Sequence, residues 1–348
     1  IASIVRVVGS LVFAATATTA HGQWTVINLH PAGAAVSFAH GVDGGAQVGE
    51  ASVGGVLRAS LWTGTSESWV DLHPGGAYPF QSYAAAAGNG VQCGSIDVAV
   101  GRRAALWSGS AASLVDLNPA GANYSQVNGS HEGQQVGFAG FGWLRLASLW
   151  TRTADSWVDL NPAGSLHSEA YDASRGHQVG YCGNVLGRRA SLWSGTASSW
   201  VDLSPAGSSD SMAKGVHGDQ QVGWAQLGSE YYASLWNGTA ASWTNLHLLL
   251  PVWFRNSEAN GIWSSAGFTY VVGSAYNSST GRNEAVMWVG PWSCRVDYDG
   301  DHSVGVPDIF AFLSAWFAGD LRANFNGDGF LNVADIFAFL SAWFAGCP

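Results

Sequence analysis

Two loops near the C-terminus place oxygen-bearing side chains at positions 1, 3, 5 and 12 of a twelve-residue stretch. Calcium is a hard cation that takes about six to eight oxygen ligands, and this spacing curls the side chains around one centre. The seventh residue of each loop adds its backbone carbonyl. We therefore predict two Ca²⁺ ions, because the doubled pattern disfavours a merely solvated acidic loop. The predicted ligands are Asp297, Asp299, Asp301, Ser303 and Asp308 in the first loop, and Asn324, Asn326, Asp328, Phe330, Asn332 and Asp335 in the second.

A duplicated apolar segment follows the two loops and predicts two short helices. The run Asp-Ile-Phe-Ala-Phe-Leu-Ser-Ala-Trp-Phe-Ala-Gly occurs at 308–319 and again at 335–346. Apolar side chains cover more of each helix than the core of two short helices can bury. Part of that surface is predicted to stay exposed as a docking face, or else to pack on the rest of the chain. The partner-binding candidates are Phe310, Phe312, Trp316, Phe337, Phe339 and Trp343.

An apolar insertion at residues 247–255 offers a third candidate site. If exposed, Trp253, Phe254 and Arg255 would stack on a sugar or a peptide. The alternative is that this loop packs over the neighbouring repeats.

Catalytic side chains show no recognisable arrangement. The ten histidines lack metal-ligand spacing, and neither a nucleophile–base pair nor paired carboxylates are evident. Glu169 and Glu258 stand in corresponding places of two repeats, which is thin support for hydrolysis. A recurring aspartate, as at Asp71, is interpreted as the cap of a turn. The sequence predicts that the chain is not an enzyme.

These candidates depend on a repeat that fills most of the chain. An Ala-x-Leu-Trp motif recurs together with Trp-Val-Asp-Leu and Gln-Val-Gly motifs. Each unit offers four short apolar stretches separated by Gly, Asn or Ser-Gly turns, as one propeller blade does. We predict an all-β fold, a six-bladed β-propeller, with a parallel β-helix as the weaker alternative. The motif tryptophans, predicted to pack between blades, are Trp62, Trp107, Trp150, Trp193, Trp236 and Trp288.

The repeat begins out of phase, and this predicts a closed ring. A lone last-strand motif at 24–29 precedes the first full unit, whereas the sixth unit has no fourth strand of its own. The N-terminal strand is therefore expected to pair with the last blade. One serine per blade, followed two residues later by alanine or valine, is expected to line the axis. These serines are Ser37, Ser82, Ser125, Ser168, Ser211 and Ser257.

Both parts of the chain resemble known families. Ala-x-Leu-Trp, Trp-Val-Asp-Leu and the upstream Gly-x-Gln-Val-Gly resemble the extracellular HAF-type repeats over residues 24–290. The duplicated loop–helix segment resembles type I dockerin modules, and its flanking Cys294 and Cys347 make it similar to GC-type dockerin ends. The second resemblance implies two calcium ions and either docking to a cohesin-like receptor or a surface-sorting role. The residues before position 12 are Val306-Pro307 and Val333-Ala334, where cellulosomal dockerins carry a small polar pair.

Composition and the N-terminal segment limit the partners and the compartment. A net charge of −10 argues against nucleic acid or an anionic membrane, since both need a basic face. Residues 1–22 read as an export signal, with a first strand as the alternative. Domains are then predicted at 23–291 and 292–348. Cys294 and Cys347 would clasp the C-terminal module, whereas Cys93 and Cys182 are expected to be buried, inert thiols.

Three functions fit these features. The first is a secreted, non-enzymatic binding or scaffolding propeller, monomeric and docked through its calcium-dependent tail to a receptor, with a glycan as a further ligand. The second is a polysaccharide-degrading enzyme or accessory protein, because dockerin-type modules accompany such proteins. In the third, the tail is a sorting signal without a receptor.

Overall fold

The computed structural model describes residues 27–76, 78–184, 187–265, 268–291, 296, 298–299, 304–320, 323–326 and 330–345. The predicted export signal, Cys294 and Cys347 lie outside these ranges. Nearly all regular structure before residue 291 is β-strand, and two helices follow. The chain is therefore mostly β and propeller-like, with separate sheets following one another.

The described strands form six successive antiparallel units in chain order, and a single parallel pairing of Arg145 with His167 joins the third and fourth units into one eight-stranded sheet. The first five units have four strands and the sixth has three among the residues described. A one-turn 3₁₀ helix precedes each short fourth strand. The strands are β1 (Ser37–Asp43), β2 (Ala46–Val53), β3 (Val56–Trp62) and β4 (Val70–Asp71); β5 (Ser82–Gly88), β6 (Val91–Val98), β7 (Gly101–Trp107) and β8 (Val115–Asp116); β9 (Tyr124–His131), β10 (Gln134–Phe141), β11 (Leu144–Trp150) and β12 (Val158–Asp159); β13 (His167–Ser174), β14 (His177–Asn184), β15 (Gly187–Trp193) and β16 (Val201–Asp202); β17 (Asp210–His217), β18 (Gln220–Leu227), β19 (Glu230–Trp236) and β20 (Thr244–Asn245); β21 (Phe254–Ser265), β22 (Phe268–Asn277) and β23 (Arg282–Pro291).

The motif tryptophans pack between successive units, as predicted. Trp107 of the second unit is fully buried in one cluster with Val48 and Ala59 of the first unit. Equivalent clusters join each later pair of units. Each buried aromatic removes a large apolar surface from water, so these junctions hold the array together.

The recurring aspartate caps the turn after the fourth strand, as predicted. Asp71 Oδ1 accepts a hydrogen bond from the backbone N–H of His73 at 2.8 Å, and Oδ2 accepts one from Arg58 at 2.7 Å. The same backbone bond recurs at Asp116, Asp159 and Asp202. These carboxylates therefore have a local structural role.

A β-bulge interrupts the first strand of every unit at the same place. In β1 the pairing with β2 skips His40, which lies between Ala39 and Gly41. The glycine of Gln-Val-Gly lies opposite, and a Cβ at Gly49 would overlap the carbonyl oxygen of Phe38. The conserved spacing of serine and glycine within each repeat therefore builds the bulge, which redirects one side chain per unit.

The residues described do not form the predicted closed ring. Successive units pack along the array, but the first and sixth units show no comparable packing on each other. Residues 27–30, the described part of the predicted closing strand, form no strand, and residues 24–26 lie outside the described part. The sequence motif could not decide this, because closure depends on the rotation between units summed over five junctions.

The two helices, α1 (Val306–Phe317) and α2 (Val333–Ala345), have a core of their own. Phe312 and Phe339 stack at its centre, with ring centroids 4.1 Å apart. The indole N–H of Trp316 donates to Asn332 O, and that of Trp343 donates to Gly305 O. Each helix is thus bonded to the opposite loop. Neither helix in the described part is long and apolar enough to cross a bilayer.

Candidate ligand site at the axis of the array

An open cavity of about 850 Å³ lies where the first strands of the units converge. Its walls come from five consecutive units, the second to the sixth. The lining combines amide, charged and aromatic side chains, which suits recognition of a polar ligand. The lining residues are Ala85, Asn128, Tyr171, Arg188, Met212, Lys214, Trp224, Tyr231, Glu258 and Asn260.

The bulges position half of this lining. The skipped residue of each first strand in units two to six reaches the cavity. The neighbouring serine and alanine positions hardly vary between units, whereas the skipped residue varies in size, charge and polarity. The scaffold therefore repeats while the cavity-lining residue changes from unit to unit. The skipped residues that line it are Ala85, Asn128, Tyr171, Lys214 and Asn260.

The charges at the cavity are neutralised by partners within the protein. Lys214 Nζ lies 2.6 Å from Glu258 Oε2 and 2.9 Å from Asn260 Oδ1. Arg188 pairs with Asp210, with Nη2 2.7 Å from Oδ2, and this hydrogen bond raises the pKa of Arg188. Because each cation already has a carboxylate partner, the cavity does not present a free charge of either sign among the described groups.

An aromatic surface forms one wall. The guanidinium carbon of Arg188 lies 5.0 Å from the ring centroid of Trp224, a cation–π distance. Tyr231 packs edge-on against Trp224, with centroids 4.9 Å apart. These contacts cover Trp224, which is only 4% exposed, so the half-buried Tyr231 is the aromatic ring that a ligand could reach at this wall.

A buried carboxylate supports the part of the cavity wall that Asn128 forms. Glu169 Oε1 accepts a hydrogen bond from Asn128 Nδ2 at 3.0 Å, and Oε2 lies 2.8 Å from Arg145 Nη1. Burial raises the pKa of Glu169, and the bonds from Arg145 and Asn128 partly oppose that shift. Glu169 therefore does not line the cavity itself, but holds the side chain of Asn128 in position there.

The serines predicted to line the axis lie elsewhere. Ser168 is fully buried, its hydroxyl accepts the backbone N–H of Ala147 in the preceding unit at 2.8 Å, and it donates to Asn161 Oδ1 at 2.6 Å. The other serines from the second unit onward accept the equivalent backbone N–H. We correct the prediction: these serines connect neighbouring units, because the bulge turns the residue three places later towards the axis. Variation at that place among otherwise similar repeats was the signal that could have identified the cavity residues.

The predicted stacking patch is exposed at its tryptophan and arginine. Trp253 is 48% exposed, Arg255 is exposed and Phe254 is half-buried. Arg255 lies 3.5 Å from Glu230. None of the three belongs to the cavity lining.

The predicted calcium loops are described in part. Asp308 and Asp335, both buried, turn their carboxylates onto the loop backbone: Asp308 Oδ2 accepts the N–H of Gly305 at 2.7 Å, and Asp335 Oδ2 accepts that of Asn332 at 2.8 Å. Asp299, Asn324, Asn326 and Phe330 are also described, whereas Asp297, Asp301, Ser303 and Asp328 lie outside. In the described ranges, no group of three or more His, Cys, Asp or Glu side chains is placed to hold a metal. Two buried carboxylates facing loops of oxygen donors fit a hard cation.

The helix residues predicted to bind a partner divide into two sets. Phe310 and Phe337 are exposed, at 66% and 67%. Phe312 and Phe339 are fully buried in the core, and Trp316 and Trp343 bond the opposite loops, so these four do not form the exposed face. The sequence pattern missed further exposed apolar residues at helical spacing from Phe310 in the first helix and from Phe337 in the second: Val306, Phe317, Val333 and Phe344.

Comparison with known proteins concerns the fold alone. No family model matches the chain, and no curated protein matches it. Among solved structures, a prolyl endopeptidase matches with 11% identity and a TM-score of 0.47, covering 74% of this chain and 42% of its own. Puromycin hydrolase matches with 11% identity and a TM-score of 0.44, over 71% and 44%. TolB from Acinetobacter baumannii matches with 8% identity and a TM-score of 0.42, over 67% and 60%. The matches thus span less than two thirds of each of these proteins.

The prediction that the chain is not an enzyme is corrected by these comparisons. Two of the similar structures are hydrolases by name. Because the identity is 11%, they assign no reaction, substrate or catalytic residue to this chain. The lack of a recognisable sequence motif is therefore no ground for excluding catalysis.

Proposed function

We propose that the chain is an exported carbohydrate-binding protein whose six-unit, propeller-like array holds a neutral glycan in the axial cavity. The cavity carries the proposal: one side chain per unit varies against a constant scaffold, and those side chains meet in one open space. Repeats that keep their structure and vary only towards one surface are typical of recognition surfaces.

The chemistry of the lining supports a neutral, hydroxyl-rich ligand. Tyr231 offers an apolar ring face, and Asn128 and Asn260 offer amides that both donate and accept hydrogen bonds. The Lys214–Glu258 pair offers a donor and an acceptor without net charge. A sugar ring has one apolar face and a rim of hydroxyls, so it matches this combination better than an ion does.

We propose that the C-terminal module anchors the protein through calcium. The residues that would hold the two ions are the loop ligands predicted above, with Asp308 and Asp335 as the buried carboxylates. Calcium would fix the loops and thereby the helices that carry Phe310 and Phe337. This face would contact a cohesin-like or cell-surface receptor protein.

Glycan binding is tested with the purified full chain on a panel of neutral and acidic oligosaccharides, by calorimetry and by analysis of released sugars. We expect a neutral oligosaccharide to bind, and Tyr231→Ala to weaken its binding about tenfold or more, since truncation of an aromatic anchor in a binding site costs about 2 kcal/mol or more. Trp143→Ala is the matched control, because Trp143 is 72% exposed and outside the cavity.

Three results would contradict binding of a neutral glycan in the cavity or favour another function. Equal loss of binding in Tyr231→Ala and Trp143→Ala would place binding outside the cavity. Binding of acidic glycans alone would contradict a neutral ligand. Release of shorter sugars, abolished by Glu258→Gln, would instead favour the polysaccharide-degrading alternative.

A further inference from the structure

The two ends of the array present the two halves of an interface that occurs five times inside it. At each internal junction, one unit offers a valine or cysteine from its second strand together with an alanine and a leucine from its third. The next unit offers its serine, its alanine or valine and its tryptophan. These positions are buried inside the array.

The first unit exposes only part of its half of this interface, because its motif tryptophan, Trp62, is buried. Ala39 is exposed, whereas its equivalents in the next two units, Ala84 and Val127, are fully buried. His30 Nδ1 lies 2.8 Å from Ser37 Oγ, as His73 Nδ1 does at 2.9 Å from Ser82 Oγ. The segment at 27–30 therefore lies where the end of a preceding unit's fourth strand lies at internal junctions.

The sixth unit exposes the other half. Val272 is 49% exposed and Met287 60%, whereas their equivalents in the first unit, Val48 and Leu61, are 0% and 7%. Ala285 is exposed as well. The outer strand of this unit, β23, pairs only with β22 among the strands described, so its other edge has no described partner strand.

We propose that these faces bind each other between two copies of the chain, head to tail. Among the described residues the sixth unit has no fourth strand, and the first unit of a second copy carries a segment in the place of one. Each face thus supplies what the other lacks. Among the described elements of one molecule, the first and sixth units show no packing comparable to that at the internal junctions.

Such an interface is heterologous, so it leads to a larger ring or to an open chain of molecules. It is also distinct from the axial cavity, and it does not depend on the proposed glycan.

Variants of the full chain in which one of the two faces is disabled, called single-face variants, test this interface. Their molar mass in solution is measured by light scattering after size-exclusion chromatography. Val272→Asp with Met287→Asp disables the sixth-unit face, and Ala39→Asp disables the first-unit face. All three positions are exposed in a single molecule, so folding is preserved, and an unchanged melting temperature confirms it. Val100→Asp, in an exposed turn of the second unit, is the control.

We expect the natural chain and Val100→Asp to form concentration-dependent multimers, and each single-face variant to be a monomer. An equimolar mixture of the two single-face variants should double the mass to a dimer, because each retains one working face. A natural chain that is monomeric at every concentration would overturn the proposal. Efficient cross-linking of Ala39→Cys to Val272→Cys within one chain would also overturn it, in favour of a ring that closes on itself.

Discussion

The serine of each repeat shows how one residue couples neighbouring units. Its hydroxyl satisfies a backbone N–H of the preceding unit and bonds the turn between the two units. A buried N–H without a partner costs about 1–3 kcal/mol, so the same small side chain is needed at every internal junction.

Removal of that hydroxyl is expected to destabilise the array. Ser168→Ala should lower the free energy of unfolding by about 1–3 kcal/mol, because it leaves Ala147 N–H and Asn161 without their partner. Ser37→Ala is the matched control, since Ser37 is half-buried and belongs to the first unit, before which no described unit lies. Urea unfolding followed by tryptophan fluorescence measures both, and equal destabilisation would contradict the role assigned to the junction.

The two cysteines of the array are expected to be inert. Cys93 is fully buried, and burial raises the pKa of its thiol to about 12; burial also raises the pKa of Cys182. The thiolate is the reactive form, so neither residue should react with iodoacetamide at pH 8 in the folded protein. Peptide mapping by mass spectrometry checks this, with labelling in denaturant as the positive control. Labelling of Cys93 in the folded chain would show that this junction opens.

At the scale of elements, the helix pair shows that identical sequence copies make equivalent contacts. Phe312 and Phe339 stack on each other, while Phe317 and Phe344 point to solvent. The helices are apolar all round, so sequence periodicity alone could not assign residues to the core or to the surface.

Core and surface phenylalanines are expected to respond differently to truncation. Phe312→Ala should destabilise the helical module by about 3–5 kcal/mol through loss of buried surface and formation of a cavity. Phe317→Ala, which is 78% exposed, should change stability by less than about 0.5 kcal/mol. Thermal unfolding followed by circular dichroism at 222 nm compares the two variants. Comparable losses would indicate that the exposed face is covered in solution.

At the scale of the whole molecule, calcium should stabilise only the C-terminal module. A ligand that binds only the folded state adds about 2.7 kcal/mol at one hundred times its dissociation constant. Addition of calcium to the chelated full chain should therefore raise the melting temperature of the helical transition and leave that of the β-array unchanged. Magnesium is the control ion, because its small size and strict octahedral geometry suit such loops poorly. A helical transition that calcium does not move would contradict the predicted metal sites.

The sequence by itself determined the features that depend on local spacing. The repeated motifs predicted the strands, the capped turns and the tryptophans between units, and the duplicated segment predicted two helices. Turn chemistry and side-chain alternation act over a few residues, so one chain suffices to identify them.

Only the tertiary structure decided which residues meet. The bulge turned Lys214 and Asn260 to the axis and left Ser211 and Ser257 at the junctions, reversing the predicted lining. The packing of the units left Val272 and Ala39 exposed at opposite ends of an array that was predicted to close. The exposure at the two ends depends on rotations that accumulate between packed units, and no spacing of residues along the chain specifies them.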